Sequence, residues 1–170
     1  MARRRSRRPA VRRRPNERTP VPHADDRTLL RELAEAYASA ADRRDDDAFV
    51  ALFTPTATLT IRQGGAVLGT FTGRDGLCGA TAPLDAYSAT MHFVGNHACA
   101  VDGDAATATT YCLANHLRPA GDGGVENLRM VIRYDDRCVR GADGRWRYAA
   151  RDLDILWTEV APASVAPLAL

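Results

Sequence analysis

Lysine is absent from this chain of 170 residues: all 23 basic residues are arginine. So uniform a preference points to codon usage in a GC-rich genome rather than to selection for guanidinium chemistry. Cysteine is scarce. Four in a chain of this length are too few for a disulfide scaffold, and none stands in a C-x-x-C pair, which argues against a zinc module. Cys78, Cys99, Cys112 and Cys138 read instead as reduced, mostly buried small hydrophobes of a cytosolic (cytoplasmic) protein. No apolar run approaches the ~20 residues needed to cross a bilayer as a helix. There is no internal repeat, phosphate-binding glycine loop, nucleophile elbow or H-E-x-x-H motif, so nothing in the sequence points to chemistry of those kinds.

What is present is ordinary globular composition, 45% apolar and 26% charged, at a length that suits one domain with one core. The net charge of +2 hides a split. Residues 1–20 hold nine arginines and one acid, a net of +8, so the rest of the chain carries −6. Residues 1–22, rich in Arg and Pro and nearly free of apolar side chains, cannot bury enough surface to offset their ordering entropy and are predicted to be a disordered tail. They contain no apolar stretch of the kind a secretory signal needs. Such a tail can tether nucleic acid or an anionic membrane. Without interleaved aromatics or a nucleic-acid-binding fold behind it, the reading adopted is an unselected extension, with neither partner expected. The domain is placed at 23–160, and 161–170 are expected to form a flexible C-terminal tail.

From Asp25 or Asp26, plausible N-caps, apolar residues recur at Leu29, Leu30, Leu33, Tyr37, Ala40 and Ala41, the stripe of an amphipathic helix. It stops at Asp42-Arg43-Arg44. Asp45 or Asp46 can cap a second short helix running through Phe53, which Pro55 is expected to close. The remainder reads mostly as strands. Ala57–Arg62 and Ala66–Phe71 flank the hairpin signal Gly64-Gly65, and a weak helical stretch follows to Ala82. Thr90–Val101, Ala105–Arg118, Glu126–Arg140 and Arg145–Trp157 then form a meander. Helices first and a curved antiparallel sheet afterwards is an α+β layout.

Three features could carry chemistry. His92 and His97 share one predicted strand and His116 lies on the next; period-2 alternation puts His92 and His97 on opposite faces, so both cannot line one pocket in a regular strand. Asp42 sits near the negative end of a helix dipole, where a carboxylate is disfavoured by up to about 1 kcal/mol and a residue often has another job, although solvated turn aspartates are common. Tyr37 lies on the buried stripe, where a phenol usually finds a hydrogen-bond partner and is more often core than acid catalyst.

The stretches Tyr37-Ala-Ser-Ala-Ala-Asp42-Arg-Arg-Asp45, Leu52-Phe53-Thr-Pro-Thr-Ala57 and Thr90-Met-His92-Phe-Val-Gly-Asn96-His97 resemble the SnoaL-like family of the nuclear-transport-factor-2-like superfamily. The Val101–Ala105 turn, the Tyr111–His116 strand and Gly144-Arg-Trp146 continue the likeness, which covers roughly residues 25–158. The resemblance implies a cone: N-terminal helices on a curved antiparallel sheet, enclosing an apolar pocket. It also implies a homodimer or homotrimer through the outer sheet face. Asp42, His92 and His116 resemble the aspartate and two histidines of scytalone dehydratase. Tyr37, Asp42 and His92 similarly resemble the tyrosine, aspartate and histidine of bile-acid 7α-dehydratase. Around Leu59–Arg62 the chain has Thr60 and Ile61 where ketosteroid isomerase carries its carboxylate base, so classical steroid isomerisation is disfavoured.

The expected activity is therefore cofactor-free dehydration of a cyclic hydroxy-carbonyl compound of polyketide, steroid or similar kind. His92 is cast as base, since histidine as a residue type, with an ordinary pKa near ~6.5, suits the task. Asp42 orients it, and His116 or Tyr37 donates the proton or polarises the substrate oxygen. Asn96, Asn115, Met130 and Trp157 are the candidate substrate contacts. The alternatives are a cyclase, isomerase or epoxide hydrolase using the same pocket, or a non-catalytic small-molecule-binding module. Asp42, His92 and His116 could also form a two-histidine, one-carboxylate metal site; the resemblance implies no metal, and none is assigned.

Overall fold

In a computed structural model of the chain, residues 24–121 and 123–165 are described; the expected tail at 1–22 and the last five residues lie outside them. Helix α1 spans Ala24–Arg43 and buries Leu30, Leu33, Ala34, Tyr37, Ala38, Ala40 and Ala41, the stripe that the periodicity predicts except for Leu29, which is exposed. It ends in a Schellman motif: the Arg44 N–H donates to the Ala41 carbonyl (3.2 Å) and the Asp45 N–H to the Ala40 carbonyl (3.0 Å). Arg44 takes the left-handed position with φ 58°, usually a glycine's place and costing a side-chain-bearing residue about 1 kcal/mol. Asp45 then caps α2 (Asp46–Ala51), its carboxylate accepting from the Ala48 N–H at 2.9 Å.

Strand β1 (Phe53–Gln63) starts two residues after α2. Pro55 therefore does not close the second helix, as the sequence suggested; it sits in the irregular first part of β1, where the β1–β6 register shifts between Phe53 and Thr58. β1 turns through Gly64-Gly65 into β2 (Ala66–Thr72), followed by α3 (Gly73–Thr81) and a 3₁₀ turn at Ala82–Ala86. β3 (Ala89–Asp102), β4 (Ala105–Pro119), β5 (Val125–Arg140) and β6 (Trp146–Ala163) form the meander, with β6 running three residues into the expected C-terminal tail. The six-stranded order is β2-β1-β6-β5-β4-β3. All pairs are antiparallel except β1–β6, which is parallel. The helices lie on one side of this curved, unclosed sheet, and the core fills the space between, giving the α+β cone. No helix among the described residues is long and apolar enough to cross a membrane. All four cysteines are free.

Two of the sheet's bulges decide where the expected site residues face. Between Val94 and His97 the β3 strand carries one residue more than β4 opposite it. A Cβ on Gly95 would come within 3.3 Å of the Tyr111 carbonyl oxygen, so the strand passes closely here only because Gly95 has none. The extra residue reverses the alternation, and His97 turns to the inner side, where its Nδ1 lies 2.8 Å from the Thr110 hydroxyl. A second bulge places Leu156 opposite no residue of β5: Val131 pairs with Trp157 and Ile132 with Ile155.

Candidate active site

A partly open, mostly apolar cavity of about 170 Å³ lies between the helices and the sheet. Tyr37 and Ala41 of α1, Leu59 and Ile61 of β1, and Met130, Ile132 and Tyr134 of β5 form much of its wall. Leu84 and Tyr87 close one side, and the rings of His92 and His116 line it.

Asp42, in the last turn of α1, meets His92 of β3. Its Oδ1 lies 2.7 Å from His92 Nδ1, and its Oδ2 accepts the His92 backbone N–H at 2.9 Å. The Thr90 hydroxyl donates to Oδ1 at 2.9 Å. Burial pushes the Asp42 carboxyl up, but the His92 ring, the His92 N–H and Thr90 outweigh it and hold the pKa at about 2. The group is an anion across the physiological range. Its unfavourable place at the helix C-terminus is thus compensated by three donors from one strand segment. Facing an acceptor-only carboxylate, His92 Nδ1 carries a proton, so the neutral form of the ring has its lone pair on Nε2.

The His116 ring sits 5.4 Å from that of His92, nearly perpendicular to it, and 4.8 Å from Tyr87. Its Nδ1 donates to the Leu128 carbonyl at 3.3 Å, which leaves Nε2 unprotonated. Burial, aided by neighbouring His92, pushes its pKa down to about 4. His116 is therefore a neutral acceptor at neutral pH, a narrower role than the proton donor or polariser expected of it.

Tyr37 lies in an aromatic cluster with Phe49 (4.8 Å between centroids), Tyr134 (5.6 Å) and Tyr148 (6.2 Å). The Arg151 guanidinium packs over the rings of Tyr37, Tyr134 and Tyr148 at 4.0–4.2 Å. Burial raises the Tyr37 pKa against the opposing pull of Arg151, so the phenol stays protonated.

The structure brings Tyr37, Asp42, His92, His116 and Met130 to this cavity or its edge, and corrects three of the expected substrate contacts. Asn96 is exposed, because the bulge that turns His97 inward reverses the alternation that put Asn96 beside His92. Asn115 lies on the opposite face from His116, where its Oδ1 accepts from Asn127 Nδ2 at 2.8 Å. Trp157 would follow Leu153 and Ile155 inward by simple alternation, but the Leu156 bulge turns it out to 59% exposure. His97 does line an inner surface, yet away from the cavity, beside Arg27 and Arg31 of α1.

Sequence reasoning missed Thr90, Arg44, Tyr87 and the buried pair Arg151–Asp136. Only the last had a readable signal: Asp136 interrupts the apolar alternation Ile132, Tyr134, Cys138 as its one charged member. Among the described residues, no three His, Cys, Asp or Glu side chains are gathered closely enough to hold a metal ion.

Comparison with known proteins agrees with this architecture. The uncharacterized protein Rv2910c of Mycobacterium tuberculosis is 33% identical over 132 residues, 77% of this chain and 86% of that protein. The crystal structure of the Kfla4162 protein of Kribbella flavida superposes with a TM-score of 0.68 at 32% identity, covering 79% of this chain and 93% of that one. A hexachlorocyclohexane dehydrochlorinase, LinA-type3 of Novosphingobium barchaimii, shares the fold with a TM-score of 0.66 at 16% identity, over 84% of this chain and 92% of that one. The SnoaL-like domain model matches residues 22–152, a span that takes in α1, the histidine-bearing strands and most of the cavity wall, and the chain therefore belongs to the SnoaL-like domain family.

Proposed function

We propose that this protein is a hydro-lyase that removes water from a cyclic hydroxy-carbonyl compound without a redox or group-carrier cofactor. The observation that carries this reading is the 2.7 Å contact between anionic Asp42 and His92 Nδ1, on a ring that lines the apolar cavity. A carboxylate there holds the imidazole in the tautomer whose Nε2 can take a proton, and it stabilises the imidazolium that forms. The dehydrochlorinase of the same fold lends support in reaction class, since loss of HCl is also an elimination.

His92 Nε2 takes the proton from the carbon next to the substrate carbonyl, and the electron pair of that C–H bond becomes the new C=C bond as the C–O bond to the hydroxyl breaks. The departing oxygen takes the proton of the Tyr37 phenol and leaves as water. Tyr37 is reprotonated from the His92 imidazolium, closing the cycle. His116, with Nε2 unprotonated, accepts a hydrogen bond from a substrate hydroxyl and orients the ring. A cytoplasmic location belongs to the same reading and is supported by the four free thiols.

The test is turnover of a panel of cyclic β-hydroxy ketones, followed by loss of water in the mass spectrum. Asp42→Asn and His92→Gln are expected to cut turnover by about 10²–10⁴-fold while ligand affinity stays within about tenfold. Turnover unaffected by either substitution would leave the dyad without a catalytic role. Binding without any turnover would favour a binding module, and ring closure or epoxide opening in place of water loss would reassign the reaction class.

A further inference from the structure

We infer that Arg44 is a positioning residue that couples the 3₁₀ wall of the cavity to the Asp42–His92 dyad through the hydroxyl of Thr90; the inference rests on the dyad reading above. Arg44 occupies the left-handed position of the α1 terminus, where glycine fits without strain, so an arginine there needs a reason in its side chain. That side chain, mostly buried, reaches three elements. Its Nη1 donates to the Ala41 carbonyl on α1 and to Thr90 Oγ1 on β3, each at 2.8 Å, and its Nη2 donates to the Leu84 carbonyl at 2.8 Å. Nε faces Asp85 at 3.7 Å.

A guanidinium has donors only. Thr90 Oγ1 must therefore accept from Arg44, and its single proton is directed to Asp42 Oδ1, the same oxygen that holds His92 Nδ1. Freed of Arg44, the hydroxyl can rotate and the carboxylate loses a fixed donor. The second guanidinium nitrogen grips the Leu84 carbonyl, which also accepts the Tyr87 N–H at 3.1 Å. Leu84 and Tyr87 line the cavity, and Tyr87 packs on His116. Because the guanidinium is planar and rigid, a displacement of the 3₁₀ wall tilts the nitrogen that holds Thr90. Closure of the wall over a ligand and alignment of the base are thus one event.

The test uses the full chain with ring-labelled histidine and reads the His92 Nδ1 proton by NMR, assigned by its loss in Asp42→Asn. Arg44→Gly suits the backbone at this position and should fold; Arg44→Asn, which also tolerates left-handed φ, is the second variant. In both, water exchange of the His92 ring proton and of the Tyr87 amide is expected to accelerate by about tenfold or more. Thr90→Val should reproduce the ring change with the Tyr87 amide still protected, and Thr90→Ser should restore the native signal. An unchanged ring proton in the Arg44 variants or in Thr90→Val overturns the inference, as does an unchanged Tyr87 amide in the Arg44 variants. A native protein showing no Asp42-dependent ring proton overturns the dyad reading itself, which separates the two failures.

Discussion

Arg151 and Asp136 face each other across β5 and β6 in a bidentate ion pair, Nε–Oδ1 and Nη2–Oδ2 both at 2.8 Å, with side-chain exposures of 0% and 1%. Arg151 also donates to the Tyr148 hydroxyl at 2.7 Å, while its Nη1 is buried without a hydrogen-bond partner among the described residues. Removing one member of such a pair leaves the other charged and desolvated. Asp136→Ala is expected to cost about 3–5 kcal/mol, whereas the apolar double replacement Asp136→Leu with Arg151→Met should recover much of the loss. Urea midpoints of the two variants measure this; a loss below about 1 kcal/mol in the single variant would mean that water reaches the guanidinium.

Acid should weaken the fold in two stages. Folded His116 resists protonation until about pH 4, against an ordinary value of 6.5. Between those values the unfolded chain binds the extra proton, so stability is complete above about 6.5 and declines as pH falls toward 4. His97, also lowered by burial, acts in the same direction. Asp42 adds the second stage, since its pKa falls from 3.8 to about 2 on folding and its contribution is lost across that window. Urea midpoints against pH should show a shallower slope above pH 4 for His116→Gln and a shallower one below it for Asp42→Asn. Slopes identical to that of the native protein would contradict the assignment.

The cavity limits ligand size. At about 170 Å³ it is close to the ~150 Å³ engineered cavity that takes benzene. Single-ring hydroxy ketones are expected to raise the melting temperature and four-ring steroids to leave it unchanged. Stabilisation by a steroid but not by any single-ring compound would require a cavity that opens well beyond this volume.

We propose that two copies of the chain meet through the outer sheet face. Phe93, Leu113, Val131 and Trp157 are successive cross-strand partners over β3, β4, β5 and β6, and the first, second and last are 60%, 44% and 59% exposed. The pairs Arg129–Glu159 and Arg133–Asp154 bring both signs of charge to the same region, as a self-complementary two-fold contact needs. Sedimentation of the native protein should give a dimer, and Phe93→Glu with Trp157→Arg a monomer. A native monomer at micromolar concentration would refute this arrangement.

Periodicity alone is enough to locate α1, the hairpin and the four long strands, because helix and strand repeats of apolar residues are local properties of the chain. The same local logic flagged Asp42, whose place at the end of α1 is unfavourable for a carboxylate, and the motif resemblance paired it with His92. Pro55 was misread because a proline after a short helix and one inside an irregular strand start look alike until β1 finds its parallel neighbour β6.

Face assignment was where local reading failed. Asn96 followed the period-2 rule and faces out, His97 is turned inward against it, and Trp157, expected at the pocket, is turned out, since one unpaired residue at each bulge inverts what lies beyond it. A bulge is set by how two strands align, which no single segment encodes. The contacts that converge on Asp42 are of the same kind: Arg44, Thr90 and Leu84 come from separate stretches of chain, and only packing α1, β3 and the 3₁₀ turn around one cavity brings their hydrogen-bonding groups within reach.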